Sequence, residues 1–246
     1  MLTGASAVQG DPRCWKDAAG LLTAAHTRGD RAGAALRTGE PTGIGPRLTD
    51  GLHGVDDAVV DPFGALLPAG RYLPVLLSIE PRLTLPAHPG DYFSEEQVAT
   101  WGVDPFRGLP EYPQTPYYRT WQTRLDDERH LFEFVVPMVP PAWNESARVA
   151  EYEQLLASSS TPTAVAVSLL DIAAPANTSR DTTDYFEHWG LVHFLLDGHH
   201  KVEAAARTAR PIRLLSLLAL DFSNASIEDA QGVPDLRRSP AQRRRI

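Results

Sequence analysis

Residues 191–216 read LVHFLLDGHHKVEAAARTARPIRLLS. The first six are apolar except for one histidine, which is typical of a buried strand. An Asp-Gly pair ends this run, and apolar positions then recur at helical spacing as far as Ala209. Pro211 opens a second apolar run. This order predicts a strand, a helix that begins within two residues of His199, and a second strand beside the first in the same sheet.

Further regular structure is predicted on the N-terminal side of this stretch. Residues 131–136 (LFEFVV) and 163–172 (TAVAVSLLDI) indicate strands, and Asn144 can cap a helix over about 145–157. Residues 72–77 (YLPVLL) indicate an edge strand because they contain a proline. We therefore expect an α/β domain over about residues 130–230.

Proline and glycine are concentrated in the first part of the chain. Residues 1–141 hold 16 of the 21 prolines and 15 of the 18 glycines. This composition predicts that residues 1–129 form a loop-rich portion that packs on the domain. Residues 231–246 end in an arginine cluster and are expected to form a basic, flexible tail.

Composition excludes several classes of protein. The 246 residues include one cysteine, so an internal disulfide, a cysteine-based zinc site and a redox pair are excluded. No apolar run approaches the roughly 18 residues of a membrane span, and no leader sequence is visible, so a cytoplasmic protein is expected. The last ten residues hold five arginines and no acid, so the rest of the chain carries −13. This acidic body argues against nucleic acid as a partner, and the sequence leaves the oligomeric state open.

The segment Asp197–Lys201 carries the chemistry of the sequence. Gly198 permits a sharp turn and a close approach of a ligand to the backbone. The residues that follow open a helix, where free N–H groups and the helix dipole favour an anion. His199, His200 and Lys201 add further donors there. These four residues are the candidate binding site for a phosphate compound.

Asp197 at the strand end could cap the helix, orient a histidine, hold a metal or accept a proton from a hydroxyl. If the protein is an enzyme, the reaction expected at this site is phosphoryl transfer to a small hydroxyl substrate.

Two other functions stay open. On a strand His193 and Asp197 share one face, so they could join His199 or His200 around a divalent metal in a hydrolase or nuclease. No fixed-spacing metal signature assigns such ligands. A non-catalytic regulatory protein would keep the phosphate loop and lack turnover.

The stretch from Asp197 to Leu214 resembles the phosphate-binding region of the ParB/sulfiredoxin superfamily, and Asp-Gly-His-His-Lys is most similar to the ParB-like free-serine kinases. The resemblance implies a mixed sheet with flanking helices, ATP or ADP with Mg²⁺ as cofactor, and a hydroxy-amino acid as substrate. It implies that Asp197 and His200 act on the substrate hydroxyl and the phosphoryl group, with Gly198 as the motif glycine. It also implies an acidic partner for Asp197, and the candidates are Asp171, at the end of its strand, and Glu187, just before the next one. Lys201 stands where the family usually has arginine. Sulfiredoxin's cysteine would fall at His199, so sulfiredoxin chemistry is not expected.

Overall fold

The computed structural model describes residues 67–95, 115–173 and 186–238. Within these ranges seven strands form one sheet. They are β1 (Tyr72–Ile79), β2 (Arg82–Thr84), β3 (Tyr117–Arg124), β4 (Arg129–Pro137), β5 (Thr163–Ala173), β6 (Glu187–Asp197) and β7 (Ile212–Ala219). The helices that lie wholly within the same ranges are a 3-10 helix (Pro141–Trp143) and three α-helices, α1 (Ser146–Ala157), α2 (His199–Thr208) and α3 (Ile227–Arg238).

The sheet is mixed and has the strand order β1-β7-β5-β6-β4-β3-β2. β5 and β7 are parallel, as are β4 and β6, and the other neighbours are antiparallel. The expected mixed α/β class is confirmed. None of the described helices is long and apolar enough to cross a membrane.

The two edges of the sheet come together. β1 and β2 lie at opposite edges, yet only Glu80 and Pro81 separate them in sequence. Three peptide steps span at most about 11 Å, so the sheet must curl until β2 closes on β1. Arg237 of α3 bridges the same gap, because its Nη2 donates to the Ser78 carbonyl at 3.0 Å and its guanidinium lies 4.3 Å from the Trp121 ring centroid.

Apolar clusters cover both faces of the sheet. One face is rich in aromatic side chains, including Tyr117, Phe132 and Phe134. On the other face, one cluster packs under α1 and α2, and a second packs under α3. The helices are amphipathic, and α2 buries Val202 and Ala205 at i, i+3 spacing in the first of these clusters.

The predicted strand–helix–strand unit is present, with one correction. α2 begins at His199 as expected, and both flanking strands lie in one sheet. They are not neighbours, however, because β5 lies between them, parallel to β7 and antiparallel to β6. β6 and β7 therefore run in opposite directions, and α2 begins and ends at the same end of the sheet.

Three boundaries also differ from the expectation. The N-cap position of α1 is Glu145, not Asn144, and the Glu145 side chain makes no capping hydrogen bond. β1, β2 and β3 belong to the same sheet as the later strands, so the structured unit extends well before residue 130. Residues 231–238 form part of α3 and not of a flexible tail, because the helix packs its apolar face on the sheet. Residues 1–66 and 96–114 of the N-terminal portion and 239–246 of the tail lie outside the described residues.

Candidate functional site

The turn between β6 and α2 requires glycine for two reasons. Gly198 caps α2 with φ +96°, a left-handed conformation that other residues rarely adopt. A Cβ at this position would also lie 2.7 Å from the Cβ of Ala164 on β5. The sequence predicted that a ligand approaches the backbone closely at Gly198. In the structure, Ala164 of the neighbouring strand β5 makes such a close approach.

The two histidines that follow accept hydrogen bonds from the segment between β4 and α1. The Met138 N–H donates to Nε2 of His199 at 3.2 Å, and the Glu145 N–H donates to Nε2 of His200 at 3.1 Å. In a neutral ring the proton then resides on Nδ1, which is a donor. Burial lowers the pKa of His199 to about 4, against the opposing effect of the Asp197 carboxylate, so this ring is neutral at pH 7.

Lys201 and Asp197, which lie four residues apart, form an ion pair. Lys201 Nζ donates to Asp197 Oδ2 at 2.9 Å and to the Thr163 carbonyl at 2.8 Å. The Asp197 side chain is 54% exposed, whereas that of Lys201 is 19% exposed. The Asp197 carboxylate therefore partly neutralises the Lys201 ammonium that a ligand would contact. The same ion pair orients the Asp197 side chain.

The predicted acidic partners do not join Asp197. In the β5–β6 register Asp197 lies opposite Val165, while Asp171 lies opposite Gly190, about 20 Å away along the strands. Glu187 begins the 11-residue strand that Asp197 ends, which separates the two by about 33 Å. The structure thus brings together Asp197, Gly198, His199, His200 and Lys201, and it leaves Asp171 and Glu187 at the opposite end of the sheet.

The described residues do not form the metal cluster that the hydrolase or nuclease alternative would require. No group of three or more His, Cys, Asp or Glu side chains among them could hold a metal ion. His193 is fully buried among side chains of neighbouring strands, away from Asp197 and the start of α2. His188 lies near the other end of β6, where its Nδ1 is 2.9 Å from the Tyr92 hydroxyl.

Sequence reasoning missed a buried polar row across the middle of the sheet. Ser216 Oγ donates to Ser168 Oγ at 2.7 Å, and Ser168 Oγ lies 2.6 Å from Nδ1 of His193. Nε2 of His193 lies 3.1 Å from Oε1 of Glu133. Since a carboxylate only accepts, His193 carries its proton on Nε2 and Ser168 donates to Nδ1. The row takes one side chain from each of four adjacent strands.

Arg237 of α3 completes the row. Its Nε lies 3.3 Å from Oε2 of Glu133, although the two atoms are not aligned for a hydrogen bond. Burial opposes the charge on Glu133, but Arg237 and His193 outweigh it and keep the pKa of this carboxyl below its usual value. The row therefore consists of a carboxylate, the guanidinium that pairs with it, an imidazole and two serine hydroxyls.

The order hydroxyl, imidazole, carboxylate is also found in hydrolase nucleophile sites. Here Ser168, His193 and Glu133 have no measurable exposure, so no substrate reaches them in this structure. The row lies between the cluster under α1 and α2 and the cluster under α3. Its evident role is to hold α3 and the central strands in place.

Comparisons with protein-family models, with curated proteins and with solved structures found no match. The interpretation of the site therefore rests on its geometry and on the resemblance of its motif.

Proposed function

We propose that the chain binds a small phosphate compound, preferably a nucleotide, at the start of α2. The observation that carries this proposal is the accumulation of hydrogen-bond donors between Gly198 and Lys201. The resemblance of this segment to the ParB-like serine kinases, and to the wider ParB/sulfiredoxin-like fold, points in the same direction.

Three kinds of donor meet at this helix end. The N–H groups of residues 199–201 have no carbonyl within α2 to bind, and Gly198 supplies no side-chain cap. Both histidines use Nε2 as an acceptor, which leaves Nδ1–H as a donor when the rings are neutral. Lys201 adds an ammonium. Such a set suits the oxygens of a phosphate, which accept only.

An exposed aromatic side chain lies within the segment that contacts these histidines. Trp143 is 75% exposed and belongs to the 3-10 helix that follows Pro140. Two residues later, the Glu145 N–H binds His200. The indole face offers a surface on which a nucleobase can stack, which favours a nucleotide over free phosphate.

Ligand binding is the first candidate function, and catalysis is the second. Asp171 and Glu187, the two acids predicted to assist Asp197, lie far from it, and Asp197 is paired with Lys201. Phosphoryl transfer to a small hydroxyl compound is the second candidate. It is favoured by the exposed Asp197 carboxylate, which could accept the hydroxyl proton after Lys201 turns to the phosphate.

Titration of the protein with Mg²⁺-ATP, ADP and inorganic phosphate, followed by calorimetry and by indole fluorescence, tests the binding proposal. Lys201→Ala should weaken nucleotide binding about tenfold, because a charge-assisted hydrogen bond is lost. Arg210→Ala removes the same charge at the other end of α2 and should change affinity less than about twofold. Trp143→Phe should abolish the fluorescence change. No heat and no fluorescence change with any of the three ligands at millimolar concentration would refute the proposal.

Asp197→Asn separates binding from catalysis. The amide keeps the size of the side chain and frees Lys201, so nucleotide affinity should be retained or increased. Product formation from a hydroxy-amino acid and Mg²⁺-ATP would show that the wild-type protein is a kinase, and it should disappear in this variant. Absence of product in the wild type, with binding intact, identifies a binding protein without turnover.

A further inference from the structure

We propose that residues 138–145 form a strap over the start of α2, and that protonation of His200 releases the Glu145 end of this strap. The segment runs from the end of β4 to the start of α1 and includes the 3-10 helix with Trp143. Release depends on hydrogen bonds within the protein, whereas its effect on ligands rests on the function proposed above.

Both ends of the strap are held by bonds that only a neutral imidazole can accept. The Met138 N–H donates to Nε2 of His199, and the Glu145 N–H donates to Nε2 of His200. A backbone N–H cannot accept, and an imidazolium donates at both ring nitrogens. Protonation therefore replaces each hydrogen bond with two donors that face each other, and the contact is lost.

The Glu145 end is the one that opens first. The hydrogen bond between Glu145 and His200 is exposed, whereas the one between Met138 and His199 is partly buried. Burial lowers the pKa of His199 to about 4, so the Met138 contact persists until the pH falls to about that value. Met138 also packs against the aromatic cluster of the sheet. It therefore holds one end of the strap while the other end is released.

Among the described residues, few other contacts hold the Glu145 end. No residue of the 3-10 helix is buried, so release exposes little additional apolar surface. One further hydrogen bond runs from Asn144 Nδ2 to Oε2 of Glu203. Glu203 also accepts from Arg207, so its carboxylate keeps a partner after the strap leaves. A segment with so few buried contacts opens at a small cost in free energy.

The elements around His200 carry both acids and bases. Lys201 pairs with Asp197 of β6, Arg207 pairs with Glu203 on α2 and Glu153 on α1, and Arg148 of α1 pairs with Glu145 of the strap. The Tyr152 ring of α1 lies 6.0 Å from Lys201 Nζ, and β2 and β7, which also contact α2, carry Arg82 and Arg213. Since the acids are already paired with bases, the charge that His200 gains adds to the positive charge of the site.

Release changes which ligand the site prefers. The helix dipole disfavours a positive charge at the start of α2, and a bound anion offsets this effect, so proton binding and anion binding reinforce each other. Trp143 moves away with the strap, and the stacking surface for a nucleobase is lost. The site should therefore favour a simple oxyanion in acid and a nucleotide near neutrality.

NMR of the ligand-free full chain tests release. The hydrogen-exchange protection of the Glu145 amide and the imidazole nitrogens of His200 are followed from about pH 7.5 to about pH 5. The protection factor, corrected for intrinsic exchange, should fall at least about fivefold as His200 becomes protonated, because one hydrogen bond is lost.

His200→Gln supplies an amide oxygen that accepts from the Glu145 N–H and is not protonated in this range. Protection of Glu145 should therefore persist in acid in this variant. His88→Gln, which replaces an exposed histidine outside the strap contacts, is the matched control and should behave as the wild type. Melting temperatures show that both variants are folded.

Calorimetric titration with sulfate tests the coupling to the site, because the charge of sulfate does not change over this pH range. Sulfate affinity should rise at least about threefold from about pH 7.5 to about pH 5.5 in the wild type and stay constant in His200→Gln.

Constant protection of Glu145 while His200 titrates would overturn the strap, as would an equal loss of protection in His200→Gln and the wild type. Equal sulfate affinity at both pH values, with Glu145 released, would overturn the coupling of the strap to the site. Failure of every anion and nucleotide to bind, with release intact, counts against the proposed function and leaves the strap supported.

Discussion

At position 198 the backbone and the neighbouring strand impose the same choice of residue. The left-handed φ of +96° already disfavours a side chain, and the Ala164 Cβ would lie 2.7 Å from a new Cβ. β5 is a central strand and cannot move freely. The glycine therefore fixes the place where β6 ends and α2 begins.

Gly198→Ala should destabilise the protein by about 2 kcal/mol or more, since strain and a backbone contact add. Gly232→Ala is the matched control. Gly232 lies within α3, and a Cβ added there would have nothing within 4 Å, so alanine should be neutral or stabilising by up to about 1 kcal/mol. Urea unfolding of both variants measures the difference, and similar values for the two would contradict the argument.

The buried row has a signal in the sequence that is clear only in retrospect. Each of the four strongest strand candidates has a polar residue near the middle of its apolar run: Glu133, Ser168, His193 and Ser216. A polar side chain in the centre of a buried strand needs a partner, and four such strands supply each other's partners. Predicting the row also required the strand order, because the hydrogen bonds run between adjacent strands.

At the scale of elements, the strands and α2 could be predicted from local patterns, whereas their order could not. Apolar runs identify β4, β5, β6 and β7, and the Asp-Gly turn places the start of α2. The insertion of β5 between β6 and β7 depends on long-range pairing that leaves no local trace. The role of α3 was missed for a related reason, since Arg237 belongs to a basic run and its buried contacts come from β1, β3 and β4.

Arg237→Met should destabilise the protein by about 3 kcal/mol or more, because it leaves Glu133 as a buried charge without its guanidinium partner. The methionine keeps most of the apolar stem, so the effect reports the charge. The double variant Glu133→Gln with Arg237→Met removes both charges and keeps an acceptor for His193. It should recover at least half of the loss.

Denaturant unfolding of the two variants provides the test. A loss below about 1 kcal/mol for Arg237→Met would show that the misaligned contact between the two groups contributes little. A double variant less stable than Arg237→Met alone would show that the negative charge of Glu133 is itself stabilising. Either result contradicts the account of α3 as an element held by this ion pair.

At the scale of the whole molecule, the two-residue link between β1 and β2 decides the shape. It brings the sheet edges together, and Arg237 joins β1 to β3 where they approach. The sequence indicated an edge strand at residues 72–77, but only the pairing of β1 with β7 and of β2 with β3 shows that the sheet closes.

Acid should destabilise the whole molecule through two buried histidines. Burial lowers the pKa of His188 and of His199 to about 4, from an ordinary value of 6.5, and His130 adds to the effect at His188. Between pH 6.5 and about 4 the unfolded chain therefore binds protons that the folded protein does not. Stability is full above pH 6.5 and falls as the pH drops, by at most about 1.4 kcal/mol per pH unit for each histidine.

Urea unfolding between pH 7.5 and 4.5 measures this slope. His188→Phe should reduce it by about half, since one of the two titrating groups is gone while stacking against Phe132 and Phe186 is retained. His88→Gln, at an exposed position, serves as the control and should leave the slope of the wild type unchanged. Because His188 lies at one end of β6 and His199 just beyond the other, the two contributions should add independently. A slope in His188→Phe equal to that of the wild type would show that this ring does not resist protonation in the folded protein.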